Sequence, residues 1–199
     1  MALTPVMASI SLVLGGALWG VYWLPIRYLE GLGLTGPTAG IALYLACAVI
    51  LLPGLFIYRQ IFQQHWRLII LSGLLTGSGF SLFTTALAYT DVIRAILLFY
   101  LTPIWGTVLG IIFLNEKLTS ARILAIILAF VGLYIILSNA HGLPIPRNLG
   151  DVFALLSGIA WAIGSLGLVR AQAVPAIPQM ISFVIGGLVI SLITIVASS

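Results

Sequence analysis

The chain has 199 residues, 62% of them apolar and only 6% charged, and a mean hydropathy of +1.25. A soluble domain carries about 25% charged residues. This composition therefore excludes a soluble enzyme, a disordered tail and a nucleic-acid-binding module, and it leaves the bilayer as the solvent that fits. The net charge of +4 is spread along the chain without a Lys/Arg cluster, so the electrostatic footprint of nucleic-acid binding is missing. The single cysteine, Cys47, excludes an intramolecular disulfide. Residues 1–26 hold no charge, so the basic start of a cleavable signal is absent.

A helix that crosses a membrane needs about 20 apolar residues. Charges and turn residues divide the chain into seven such stretches: 7–28, 37–58, 68–89, 92–114, 121–137, 152–169 and 178–197. The runs are continuous rather than alternating, which argues against a membrane β-barrel. The expected fold is all-α, a polytopic membrane bundle of about seven transmembrane helices. Thr90 and Asp91 are nearly the whole link between the third and fourth stretches, which must then be antiparallel neighbours. The longest link, 138–150, carries Pro144 and Pro146 and separates two expected domains, 1–140 and 148–199. With the N-terminus inside, the inner links hold Arg59, Arg67, Lys117, Arg122 and Arg170. The outer side keeps Arg27, Arg94 and Arg147. That bias predicts a cytoplasmic N-terminus.

The first and sixth stretches resemble each other. Leu14, Gly16, Trp19 and Leu24 recur as Leu156, Gly158, Trp161 and Leu166, and Arg27 and Arg170 follow one place out of register. The second copy starts five helices after the first, and five is odd, so it enters the membrane from the opposite side. This is an inverted five-helix repeat, the architecture on which many secondary transporters build alternating access. The second copy is incomplete, with two of five helices. The expectation is therefore the N-terminal part of a ten-helix protein, or a shortened variant.

The segment from Ala86 through Tyr89, Tyr100 and Pro103 to Asn115, Glu116, Lys117, Leu118 and Thr119, with Gly132 and Leu133 in the fifth stretch, resembles the EamA-type drug/metabolite transporter family. The Gly-Ala-Leu-Trp-Gly of residues 16–20 is similar to that family's opening. The resemblance implies an inner-membrane carrier with both termini cytoplasmic. Its central cavity would be lined by the first, third and fourth helices and their counterparts, and it would move amino acids, other metabolites or drugs. Two departures stand out: Asn115 replaces the usual Gly before the Glu, and Ala125 replaces a common Gly.

Candidate substrate-cavity residues follow helix by helix. In the third stretch Ser78, Ser81, Thr85 and Tyr89 form one polar stripe. The stripe either faces a wet cavity or bonds its own helix carbonyls. In the first stretch Trp19, Tyr22 and Trp23 offer rigid aromatic area for an organic solute, or Tyr22 and Trp23 anchor the outer interface; Trp161 repeats Trp19. In the fourth stretch Arg94, Leu101 and Trp105 share a stripe with Thr102 beside it. A charge in a spanning segment costs roughly 2.5–3.5 kcal/mol, so it normally faces protein or water. Arg94 either snorkels to headgroups, held by Asp91, or attracts a carboxylate-bearing substrate. Pro103 cannot donate to the Phe99 carbonyl and should kink the helix. Glu116 is expected to pair with Lys117 or Arg122, or to bond a neighbouring helix end. Three Gly-x-x-x-Gly pairs, Gly16/Gly20, Gly73/Gly77 and Gly106/Gly110, are expected to allow close helix approach.

The function these features predict is an integral membrane secondary transporter of a small organic solute. The alternative is a truncated, non-transporting membrane protein or a subunit that needs a partner chain. No acid lies near a helix centre, so proton coupling through a buried carboxylate lacks support, and the missing phosphate-binding loop excludes a self-contained ATP-driven pump; no cofactor or metal is expected. An enzyme is not expected either, since Ser78 lacks a reachable base, with His65 and His141 placed in links. The expected partners are the lipid bilayer, a small-molecule substrate, and a second copy or complementing chain.

Overall fold

The computed structural model describes residues 5–21, 23–34, 37–140, 146–171 and 174–198. Among these, the regular structure is entirely helical: α1 (Pro5–Gly20), α2 (Trp23–Gly31), α3 (Pro37–Ile57), α4 (Arg59–Tyr89), α5 (Val92–Phe99), α6 (Thr102–Leu114), α7 (Ser120–Ala140), α8 (Leu149–Arg170) and α9 (Ala176–Ser198). Five spans are long and apolar enough to cross a membrane: Thr38–Ile57, Arg59–Tyr89, Val92–Leu114, Leu149–Arg170 and Ala176–Val196. The other two expected crossings contain shorter apolar helices, Ser9–Leu18 and Ser120–Gly132.

Two prolines explain where the expected stretches break. The first is two helices, because Pro25 cannot donate to the Val21 carbonyl; the Leu24 amide takes that carbonyl instead, at 3.0 Å. The fourth is also two, α5 and α6, with the break just ahead of Pro103. The third starts earlier than expected. Residues 59–64 are helical, and His65 (φ −122°, ψ 19°) marks a kink rather than a link.

Met1–Thr35 and Gly36–Ser199 form two compact units. The first contains α1 and α2. In the second, α4 is the central helix, with α8 and α9 packed along it and α3 against α9. This unit therefore joins helices from both sides of the 138–150 link.

Helices in lipid gain little from hydrophobicity when they meet, so close backbone approach carries the packing. Gly73 and Gly77 of α4 lie against Ser182 and Phe183 of α9, and Gly186 of α9 lies against Leu74. On the α8 side Gly79 faces the Ser157 carbonyl, while Gly164 and Gly167 face Thr76 and Ser72. Of the three expected Gly-x-x-x-Gly pairs, Gly73/Gly77 is the one seated on another helix. A Cβ at Gly16 or Gly106 would meet nothing within 4 Å among the described residues, and Gly110 faces the Glu116 side chain.

The second unit has two chemically different ends. Ile61, Phe62 and Leu68 pack on Ile69, Ala171 and Val174 at one end. The Arg170 guanidinium there donates to the Phe113 carbonyl at 3.1 Å. Arg59, Arg67, Lys117, Arg122 and Arg170 all belong to this basic end. The opposite end joins Thr90 and Arg94 to Arg147, Asn148 and Asp151.

Gly77→Ala places a methyl group against the α9 backbone and should lower stability by about 1–3 kcal/mol. Gly106→Ala meets open space and should raise stability by up to about 1 kcal/mol through helix propensity. Unfolding in detergent micelles, followed by circular dichroism, checks both.

Candidate functional site

A hydrogen-bonded polar cluster sits at the end opposite the one that holds Arg59, Arg67, Lys117, Arg122 and Arg170. Asn148 caps α8, its side-chain oxygen accepting from the Asp151 amide at 2.8 Å. That cap directs Asp151, in the first turn of α8, into the bundle, where it is fully buried. One carboxylate oxygen accepts from the Thr90 hydroxyl at 2.7 Å. The other accepts from Arg94 Nε at 2.6 Å and from the Arg147 amide at 2.8 Å. Asn148 Nδ2 donates to the Thr90 hydroxyl at 3.1 Å. A buried carboxylate needs this many donors to offset its lost hydration. Asp91 has a different task as the N-cap of α5, accepting from the Ile93 and Arg94 amides at 2.9 and 3.3 Å.

Arg94 is 5% exposed and paired with Asp151. It does not reach out to headgroups, and the partner of its guanidinium Nε comes from another helix rather than from its own turn.

Below this cluster the α5–α6 helix is interrupted at Tyr100 and Leu101. Pro103 leaves the Phe99 carbonyl without its usual helical donor. The Thr102 hydroxyl bonds that carbonyl instead. Gly158 of α8 lies directly against the break: a Cβ there would meet the Phe99 oxygen and Thr102 Oγ1, each at 3.0 Å. Trp161, one turn on, stands edge-to-face on Phe99 with centroids 6.4 Å apart.

From that aromatic contact a cavity of about 480 Å³ runs between α6 and α8 to the basic end. Phe99, Thr102, Pro103, Trp161 and Ser165 line it, and Glu116 and Arg122 lie at its far end. These two pair with each other and are both exposed. A second groove of about 650 Å³, almost wholly apolar, lies on the other side of α6 against α7 and shares Tyr100, Pro103, Gly106 and Arg122. Asn115 closes α6 in the left-handed conformation (φ 54°, ψ 32°). Asparagine tolerates that conformation, which accounts for an asparagine at this position.

The structure thus gathers Thr102, Pro103 and Trp161 around one cavity. Ser81 and Thr85 are fully buried in helix contacts. Ser81 Oγ lies 2.7 Å from Ser191 Oγ of α9, and the Thr85 hydroxyl donates to the Ser81 carbonyl at 2.9 Å. Ser78 is half-buried on α4. Tyr89 is exposed and stands edge-to-face on Phe153. Trp105 is half-buried, lines neither cavity, and its buried indole N–H has no hydrogen-bond partner among the described residues. The side chains of Trp19 and Trp23, and Tyr22 as a whole, lie outside the described residues, as does His141. Sequence reasoning missed Asp151. Its signal was available: an acid in the first turn of an apolar stretch, on the same side of the expected topology as Arg94.

A bundle of apolar helices with a cavity beside a proline-broken helix defines a polytopic membrane protein. A sequence model of the EamA-like transporter family matches residues 6–138, and the chain belongs to that family. Among curated proteins it is similar to Protein RarD of Salmonella typhi, 32% identical over 105 residues, which are 53% of this chain and 33% of that protein. Protein RarD of Escherichia coli K12 is 30% identical over 109 residues, 55% of this chain and 34% of that protein. The matched segment spans about a third of the length of these relatives. No solved structure gives a significant match.

Thr102→Val strands the Phe99 carbonyl and should cost about 1–3 kcal/mol. Adding Pro103→Ala supplies a backbone donor at the position that can reach this carbonyl, and should recover part of the loss. Detergent unfolding of the single and double variants reads the difference.

Proposed function

We propose that this protein is a multi-pass secondary carrier of the cytoplasmic membrane. It moves a small organic solute (an amino acid, another metabolite or a drug) by alternating access, and the α6–α8 cavity forms part of the solute path. One observation carries the reading: the cavity meets the α5–α6 break, where Pro103, Thr102, Phe99 and Trp161 meet. Ligand sites in membrane carriers form at discontinuous helices, because only there is irregular backbone tolerated at depth. The lining supplies what an organic solute needs, aromatic and aliphatic area with a few hydroxyls.

The orientation follows from charge. Five basic residues lie at one end of the second unit, and the positive-inside bias makes that end cytoplasmic. This reading takes the first apolar stretch as one crossing ahead of α3, which puts the N-terminus on the cytoplasmic side as well. The inverted five-helix repeat over 1–140 and 148–199 belongs to the same reading.

A thiol-labelling experiment tests the path whatever the solute. In a Cys47→Ala background, Ser165→Cys in the cavity should react with a water-soluble, membrane-impermeant thiol reagent applied to the cytoplasmic face. Leu156→Cys, on an exposed apolar surface of α8, should not. Equal reactivity at both positions, or none at Ser165→Cys, contradicts a water-filled path between α6 and α8.

A further inference from the structure

We propose that the Arg94–Asp151 pair is the latch that shuts the solute path at the non-cytoplasmic end, and that it opens by passing both charges to water. This inference rests on the carrier reading and adds a gate to it.

The two ends of the α6–α8 seam are unlike. At the cytoplasmic end no ion pair among the described residues joins α6 to α8; the Glu116–Arg122 pair beside it ties the α6–α7 link to α7, with side chains 39% and 42% exposed. The line of contact between α6 and α8 there includes the Arg170 side chain on the Phe113 carbonyl, which is solvent-exposed. At the other end the pair is sealed, with side-chain exposures of 6% for Arg94 and 0% for Asp151. The Thr90 hydroxyl and the Arg147 amide also donate to the carboxylate. Gly150 brings the α8 backbone so close that a Cβ there would lie 2.7 Å from the Thr90 amide nitrogen. Directly beneath lies a thin plug of mostly small residues, Ala86, Ala95, Ala154 and Leu98, all 0% exposed.

A buried ion pair is a poor source of stability, because its desolvation offsets most of its attraction. It is well suited to a contact that must both close and open. When the end is shut, each charge is held by the other and by the neutral donors around it. When α8 parts from α4 and α5 at this end, both charges meet water at the membrane face and recover their hydration. An apolar seal would gain nothing from that exposure. The hinge is at hand: the helix that carries Arg94 is interrupted at Tyr100 and Leu101, so α5 and α6 can move separately.

The test uses two matched buried alanines near opposite ends of α8, Ala154 beneath the latch and Ala171 at the cytoplasmic end, which are 0% and 1% exposed. In the full chain with Cys47→Ala, each is changed singly to Cys and exposed in native membrane vesicles to a small charged methanethiosulfonate reagent. With the latch intact, both should react slowly. Asp151→Asn or Arg94→Gln should speed labelling of Ala154→Cys on the order of tenfold or more, with Ala171→Cys unchanged. Thr90→Val removes one neutral donor to the carboxylate, together with the acceptor of Asn148 Nδ2, and should give a smaller rise in the same direction, which covers the case in which the charge variants do not fold. Unchanged labelling at both positions overturns the latch. A parallel rise at both overturns it too, because the pair would then hold the whole bundle together rather than one gate. Failure of the carrier reading registers separately, in an unreactive Ser165→Cys.

Discussion

Helices surrounded by lipid have no hydrophobic reason to prefer one another over acyl chains. What sets this bundle is how closely other backbones can approach α4. Gly73, Gly77 and Gly79 open two of its faces, and Gly164, Gly167 and Gly186 answer from α8 and α9. The hydroxyls on the same surfaces are satisfied within the packing: Ser72 and Thr76 bond carbonyls one turn back, and Ser81 meets Ser191 across the α4–α9 contact. The rest follows from α8 lying along α4. That placement brings Asp151 to Arg94, Gly158 to the Phe99 carbonyl, and Trp161 to the edge of the cavity.

The break between α5 and α6 and the buried ion pair serve one mechanical arrangement. Pro103 removes a helical hydrogen bond, and the Thr102 hydroxyl covers the carbonyl it leaves, so the interruption is held without an orphaned acceptor. On one side of it α5 is fixed to α8 through a carboxylate with three donors. On the other side a cavity of about 480 Å³ runs along the contact between α6 and α8. Under the proposed carrier reading, one sealed end and one looser end are what a single state of alternating access would show.

Much of this was legible in the chain. The positions of the apolar stretches, the interruption before Pro103 and the Glu116–Arg122 pairing all rest on local rules, such as span length, a missing N–H and opposite charges a few residues apart. The contacts that were not legible lie between distant segments. Arg94 and Asp151 are 57 residues apart, and Arg94 had a nearer acid in Asp91. One oxygen of that acid caps α5, a role its position just ahead of the helix already suggested. The polar stripe of α4 shows the same limit. Ser78, Ser81, Thr85 and Tyr89 do share a face, but whether that face meets water or another helix depends on where α8 and α9 fall. Likewise Gly73/Gly77 and Gly106/Gly110 share a spacing, while among the described residues the first pair lies in close contact with another helix and the second lines a cavity.

The central claim, that α9 packs directly on α4 through small residues, has a direct test in the Ser81→Cys/Ser191→Cys double variant on a Cys47→Ala background. The two hydroxyl oxygens lie 2.7 Å apart at 0% and 1% exposure. Mild oxidation in native membranes should give a rapid, near-complete intramolecular disulfide. A folded protein in which this bond does not form, or forms only between separate chains, would contradict the account.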